Sequence, residues 1–325
     1  MKAGELIKQE PFAEIFTATL SRFLTLRFGG EWQVSWNATA QSSRAQSWLV
    51  NLNINAIFQT NVSGDALENT RREYATSVTA WKRPLQQFYF WLATKAAPRF
   101  MAHAFVEVKP SIPGADQCII IPGTHKIRFI DTAKCISYCH LKTGSSQAHF
   151  QAEIEAREFA AGKGLPVPRI LERLSDCCIA EQMVVGTPLN RLASRTERAE
   201  GFRRAIKAME PLYQSTARRE SLADYAKDVV CRIEAMTVIR SEIASTGSLA
   251  LARRLAGTLG HVDQRIELVR SHGDFQPGNI LYDRGDVWLI DWEYSGERQR
   301  LYDHMTFSTG VRFLKNLAAR IIAYA

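Results

Sequence analysis

The sequence predicts an α+β chain of two lobes, one built on an antiparallel sheet and one mostly helical, with an additional region at the N-terminus. Three observations carry that reading. Residues 118–185 hold short apolar runs broken by turn residues, with one helix-forming stretch among them. Residues 195–268 are rich in Ala, Arg, Glu and Leu, carry few glycines or prolines, and place apolar residues at helical spacing. Two more short apolar runs follow, at 280–282 and 287–290, which read as a β-hairpin closed by Asp283-Arg-Gly-Asp286.

Taken in order, residues 12–28 predict an amphipathic helix, 32–58 an aromatic stretch of mixed character, and 85–105 a second helix-like segment. That last segment is the longest apolar stretch, but Lys95, Pro98, Arg99 and His103 interrupt it, so it makes a poor membrane span. Residues 118–126 and 127–131 predict two strands joined by a turn at Gly123, and 135–144 a third. A helix over 146–163 should stop at Gly162-Lys-Gly-Leu-Pro-Val-Pro168. Its two prolines favour an extended link into an antiparallel pair at 169–174 and 177–185. Helices are expected at 198–213, 222–236 and 249–268. The domain boundaries that follow are 1–110, 111–186 and 187–325. The first of these regions leaves three roles open: a substrate-recognition module, a dimerisation element giving a homodimer, or an interaction domain.

Composition narrows the class. At 325 residues, 46% hydrophobic and 23% charged, the chain can bury a large core. Its net charge of +8 suits anionic ligands such as nucleotide phosphates. No Lys/Arg block interleaved with aromatics argues for nucleic acid. None of the six cysteines forms a CxxC pair, so free, buried thiols are expected. Lys8, Glu10 and Glu14 break any leader-like apolar core. Together these features predict a cytoplasmic chain.

The most informative stretch is Ser271-His-Gly-Asp-Phe-Gln-Pro-Gly-Asn-Ile-Leu281, followed by Trp288-Leu-Ile-Asp-Trp-Glu-Tyr-Ser-Gly296. It sets Asp274, Asn279 and Asp291 around two short apolar segments. Phosphoryl transfer asks a protein mainly for positioning and charge neutralisation. One carboxylate, Asp274, can orient and deprotonate a hydroxyl nucleophile. The amide of Asn279 and the carboxylate of Asp291, returned by the hairpin, can hold Mg²⁺ against the phosphates of ATP. His272 would brace the loop through hydrogen bonds, and Gly273 and Gly278 would allow unusual dihedrals or close approach.

These residues resemble the aminoglycoside phosphotransferase and choline kinase superfamily, whose catalytic loop reads H-[GN]-D-x-x-x-x-N and whose metal-binding Asp ends the next strand. The resemblance implies a protein-kinase-like fold and ATP with Mg²⁺ as cofactors. It implies that Gly123, with Thr124 and Lys126, lies where a loop covers the ATP phosphates, a plain hairpin turn being the alternative. It places Lys142 as the lysine on the α/β-phosphates, with Lys134 as the competing candidate. Glu153 then pairs with that lysine, with Glu155 and Glu158 as rivals. Backbone groups of Glu181 and Met183 would meet the adenine at a hinge, and Gly186 and Pro188 just afterwards would mark the lobe boundary.

The implied reaction is phosphate transfer from ATP to a hydroxyl of a small molecule, of aminoglycoside, choline/ethanolamine or sugar type. Trp292, Glu293, Tyr294 and Asp303 are the candidates for an aromatic and acidic acceptor pocket, or else pack the loop and cap a helix. Two rival readings stand. A catalytically idle kinase-like scaffold would bind a protein partner through residues 1–110. A protein kinase is disfavoured, since Asp-Trp-Glu stands where Asp-Phe-Gly is expected and no Ala-Pro-Glu follows.

Overall fold

The computed structural model describes residues 3–37, 39, 45–74, 79, 81–239 and 248–310. Among these, the chain forms two compact units, Met1–Ala208 with Phe275–Tyr294, and Met209–Asp274 with Ser295–Ala325. The α+β, two-lobe class expected from the sequence is borne out.

A nine-stranded sheet dominates the first unit. Its strands are β1 (Gln33–Asn37), β2 (Gln46–Asn51), β3 (Ala56–Phe58), β4 (Ala104–Lys109), β5 (Cys118–Pro122), β6 (Lys126–Asp131), β7 (Ile136–Leu141), β8 (Ile170–Ser175) and β9 (Cys178–Gln182). Their order is β1-β4-β2-β3-β5-β6-β7-β9-β8, and every neighbouring pair is antiparallel. The boundary expected at residue 110 falls inside this sheet. The apolar strands β1–β4 find their ladder partners in β5 and one another, so the N-terminal region is an extension of the sheet.

Two helices cover opposite faces of its central strands. In α2 (Phe12–Phe28), Phe12, Phe16, Leu20, Phe23 and Leu24 recur at helical spacing and are all buried. Gly29, at φ 72°, ends the helix and donates its N–H to the Thr25 carbonyl. The Phe23 ring meets Phe129 of β6 at 5.1 Å and Tyr138 of β7 at 5.6 Å, while Phe12 meets Trp36 of β1 edge-on at 5.6 Å. One aromatic face thus ties the early strands to the later ones. On the other side, α5 (Gln147–Gly162) starts at Ser146, whose side chain accepts from the His149 N–H. It buries Phe150 and Ile154 against Cys139, Leu141 and Ile179.

Between β3 and β4 run α3 (Glu68–Tyr74) and α4 (Lys82–Trp91). The helix-like reading of residues 85–105 is correct only to Ala96. There α4 passes into a single wide turn, Leu92–Ala96, whose Ala97 N–H bonds back to Leu92, and Ala104 already belongs to β4.

A small sheet in the same unit carries the motif. Its strands β10 (Thr187–Pro188), β13 (Ile280–Asp283) and β14 (Asp286–Leu289) lie in that order. Arg284 and Gly285, both at positive φ (50° and 103°), close the predicted hairpin as a two-residue turn matched to strand twist. At Gly186 a Cβ would come within 2.9 Å of the Leu281 side chain, so glycine lets the chain after β9 reach this hairpin. That pairing keeps residues past 186 with the first unit, and the division comes later, within α6 (Arg195–Thr216).

The second unit contains β11 (Arg218–Ser221), α7 (Leu222–Ile239), α8 (Ser248–Leu259), β12 (Arg265–Ser271), β15 (Gly296–Gln299) and α9 (Tyr302–Thr309). The helix expected over 249–268 ends at Leu259, because residues 265–271 pair with both β11 and β15.

Candidate active site

Strand parity decides which cations reach the site. Successive side chains of a strand point to opposite faces. On β6, Ile127 and Phe129 join the core beneath α2, so Lys126 and Arg128 face the other way, toward α5. The Lys126 ammonium lies 2.6 Å from both carboxylate oxygens of Glu153 and 3.5 Å from Asp291 Oδ1. Burial by itself would lower the Lys126 pKa; the carboxylates of Glu153 and Asp291 outweigh it and hold the amine charged.

Lys142 has the opposite parity. Tyr138 of β7 packs under α2, and Lys142 lies four residues further on, so it too points to the α2 side. There it pairs with Glu10, sits 5.7 Å over the Phe12 ring and donates to the Thr124 carbonyl at 3.0 Å. The partner expected for Lys142, Glu153, is taken by Lys126 instead. The other candidates are engaged elsewhere: Lys134 with Asp131 at 3.2 Å and Glu158 with Arg173, while Glu155 is exposed.

Gly123 occupies a tight turn. Its N–H donates to the Lys126 carbonyl at 3.0 Å, and a Cβ there would come within 2.8 Å of that same oxygen. Lys142 fastens the turn from beneath, through its backbone N–H to His125 O and its side chain to Thr124 O.

Glu181 and Met183 sit beside the site through groups other than those expected. The Glu181 carboxylate is buried against Arg157 at 2.6 Å and Arg128 at 3.7 Å, and accepts from Cys139 and Ser137. Burial opposes its ionisation, but the two guanidinium groups overcome that and hold its pKa at about 2. The Met183 N–H donates to the Cys135 carbonyl, extending the sheet by one bond. Its side chain, with Asn69, Ile130, Val184, Ile290 and Asp291, lines a cavity of about 120 Å³. Three buried polar atoms around that cavity make no hydrogen bond: Asn69 Oδ1, Arg128 Nε and Gln182 Oε1. Arg128 keeps its ion pair with Glu181, but the two amide oxygens are costly to leave unbonded, and they suit a polar, flat ligand able to bond them. Asn69 was not anticipated, since it comes from α3, far upstream in the sequence.

The hairpin brings the two expected metal ligands to one end. Ile280 pairs with Leu289, and the Ile290 N–H donates to the Asn279 carbonyl at 3.0 Å, so Asn279 and Asp291 flank the same ladder terminus. Asp291 adopts φ 69°, a left-handed conformation that is uncommon outside glycine and concentrates at functional sites. An amide oxygen and a carboxylate are the hard donors Mg²⁺ takes, and Mg²⁺ commonly uses one or two protein ligands beside phosphates and water. The residues therefore fit a magnesium–nucleotide complex.

Asp274 belongs to the second unit, where the loop is held from one point. Asp303, fully buried in the first turn of α9, accepts from the His272 N–H at 2.8 Å, the Gly273 N–H at 3.0 Å and the Tyr213 hydroxyl at 2.9 Å. His272 braces the loop as expected, its Nδ1 accepting from the Asp274 N–H at 3.3 Å, and Gly273 uses φ 84°. Asp303 is thus a support for the loop that carries Asp274. Trp292 is buried and donates to the Leu289 carbonyl at 3.1 Å, which leaves Glu293 and Tyr294 as the expected acceptor residues that line open space. They border a 340 Å³ cavity together with Lys126, His125, His149 and Glu153.

A buried lysine–glutamate pair facing an aspartate at a hairpin end, with an asparagine beside it, is an arrangement that phosphoryl transfer can use. The model of the phosphotransferase enzyme family (APH) matches residues 140–324, more than half of the chain, and the protein belongs to that family. Among solved structures, an aminoglycoside phosphotransferase from Streptomyces rimosus is 20% identical, with 62% of this chain and 85% of that one covered and a TM-score of 0.41. A choline/ethanolamine kinase family protein from Mesorhizobium loti is 18% identical, covering 73% and 74% of the two chains, with a TM-score of 0.43. A fructosamine-3-kinase-like protein from Thermobifida fusca is 17% identical over 63% and 82%, with a TM-score of 0.43. No curated protein matches the sequence. Among the described residues no helix is long and apolar enough to cross a membrane.

Proposed function

We propose that the protein is an ATP- and Mg²⁺-dependent phosphotransferase acting on a hydroxyl of a small molecule, of aminoglycoside, choline/ethanolamine or sugar type. The observation that carries this reading is the Lys126–Glu153 pair facing Asp291, itself held at positive φ beside Asn279. When bound, the magnesium–nucleotide complex supplies the phosphoryl group and neutralises its charge. Asn279 and Asp291 hold the metal, and Lys126, oriented by Glu153, meets the phosphates in the role the sequence reading gave Lys142. Asp274 accepts the proton of the acceptor hydroxyl on a carboxylate oxygen. The cavity at Asn69 and Met183 takes the base, and the one at Glu293 and Tyr294 takes the acceptor. The unpaired cysteines support a cytoplasmic setting.

Calorimetry of ATP with and without Mg²⁺, on the wild type and on Asp291→Ala, tests the reading. Metal-dependent binding that disappears in Asp291→Ala is the expected result. A folded wild type that binds no nucleotide overturns it and favours the idle scaffold.

A further inference from the structure

The outer face of α4 carries large apolar side chains that the phosphotransfer site does not use. Trp81, Leu85 and Phe88 recur at helical spacing and are 66%, 60% and 60% exposed, and Trp91 beside them is half exposed. Phe100, just past the wide turn, is 87% exposed. The inner face of the same segment fixes this orientation: Phe90 is buried in the core around Leu49 and Ile119, and Ala93 and Thr94 are buried too. The outer residues are therefore held outward. The Phe88 and Trp91 rings meet at 5.8 Å, and rings of this size exposed on a helix face mark an interaction surface.

Charge identifies the partner. Between Glu73 and Glu107 the sequence has no acidic residue, while Lys82, Arg83, Lys95 and Arg99 are basic. Asp65 and Glu68 border Trp91 and Lys95 from α3 and the turn before it, with Glu68 already paired to Arg71 and Arg72, so the net charge stays positive. Lys82, Lys95 and Arg99 are exposed, Lys95 also donating to the Val62 carbonyl at 3.3 Å, and the Lys82 ammonium stands 5.3 Å over the Trp81 ring. A second copy of this chain would set one net-positive face against another. A lamellar surface of anionic lipid would take both components, rings at the headgroup boundary and cations against the phosphates. The whole chain's net charge of +8 acts in the same direction.

We infer that the α4 face, from Trp81 to Phe100, seats the protein on anionic membrane surfaces. The Phe88, Trp91 and Phe100 rings enter the headgroup boundary while Lys82, Lys95 and Arg99 meet lipid phosphates. The association is peripheral, reversible and weakened by salt.

Co-sedimentation of the full chain tests this, with vesicles of phosphatidylcholine alone and with added phosphatidylserine. Binding to the second kind only, lost at high salt and accompanied by a blue shift of tryptophan emission, is expected. The charge-neutral double variant Leu85→Ser/Phe88→Ser should lower the partition constant on the order of tenfold with an unchanged circular dichroism spectrum. Both side chains point to solvent, so folding should survive. Absence of binding overturns the inference. So does binding that the double variant leaves intact, which would reduce it to the attraction of any basic protein for acidic lipid. Dimerisation abolished by the same two substitutions, without vesicle binding, would assign the face to a second copy of the chain.

Discussion

Both faces of the nine-stranded sheet carry an apolar core, but they differ in how much charge they bury. Beneath α2 the sheet is closed by rings and aliphatic chains: Phe16, Phe23, Trp48, Phe129 and Tyr138. Beneath α5, beside Phe150, Ile154 and Leu141, the strands' Lys126, Arg128 and Glu181 meet Glu153 and Arg157 of the helix in one ionic cluster. Apolar burial stabilises at roughly 25 cal/mol per Å², whereas taking ions out of water costs several kcal/mol each and is only partly recovered by pairing. A fold seeking stability alone would have repeated the first solution. The second face keeps its charge beside the proposed phosphotransfer site, where clusters of this kind are characteristic of function.

The widest gap between the faces should open in activity. Lys126→Met removes the cation that faces Asp291, and kcat/KM should fall by roughly 10²–10³-fold, the loss seen when one preorganised positive contact is deleted. Steady-state kinetics with a hydroxyl acceptor would check it, and a variant with wild-type turnover would break the comparison. Across the sheet, Phe23→Ala should cost about 3–5 kcal/mol of stability in urea while the nucleotide Kd stays put.

Glu181 sharpens the contrast through pH. Its folded pKa of about 2 lies below the ordinary 4.5, so its contribution is present in full above about pH 4.5 and fades as pH falls toward 2. The stability difference between wild type and Glu181→Gln, on the order of 3 kcal/mol near neutrality, should therefore shrink across that window. A pH-independent difference would mean that the carboxylate contributes nothing by being charged. The smallest effect is expected at Lys142, because it belongs to the apolar face. Lys142→Met should cost about 1.5–3 kcal/mol through the lost bonds to Glu10 and Thr124, and leave ATP affinity within about twofold. A collapse of ATP affinity in that variant would return the phosphate role to Lys142.

Local patterns were legible in the sequence wherever neighbours decide structure. The aromatic period of α2 and the Arg284-Gly285 turn were read correctly because helices and tight turns answer to residues a few positions away. Nonlocal pairing was not legible. Nothing near residue 265 announces that Arg265–Ser271 will find partners at 218–221 and 296–299, so a helix was expected to run on. The lysine assignment turned on parity, which depends on what covers each face. The sequence does hold the signal, in the alternation of Lys126 and Arg128 with Ile127 and Phe129, but it acquires meaning only once α2 is known to take the apolar set. The motif of Asp274, Asn279 and Asp291 was visible because it is short and ordered. The nearby role of Asp303, thirty residues downstream, was not.

Asp303 gives that motif an unexpected dependency. Three donors meet one carboxylate, so the shape of the loop is stored outside the loop. A fragment ending after Asp291 would keep every letter of the phosphotransfer signature and lose the acceptor for two of its amides. In this chain the motif names the residues, and the downstream aspartate is the mould that shapes their loop.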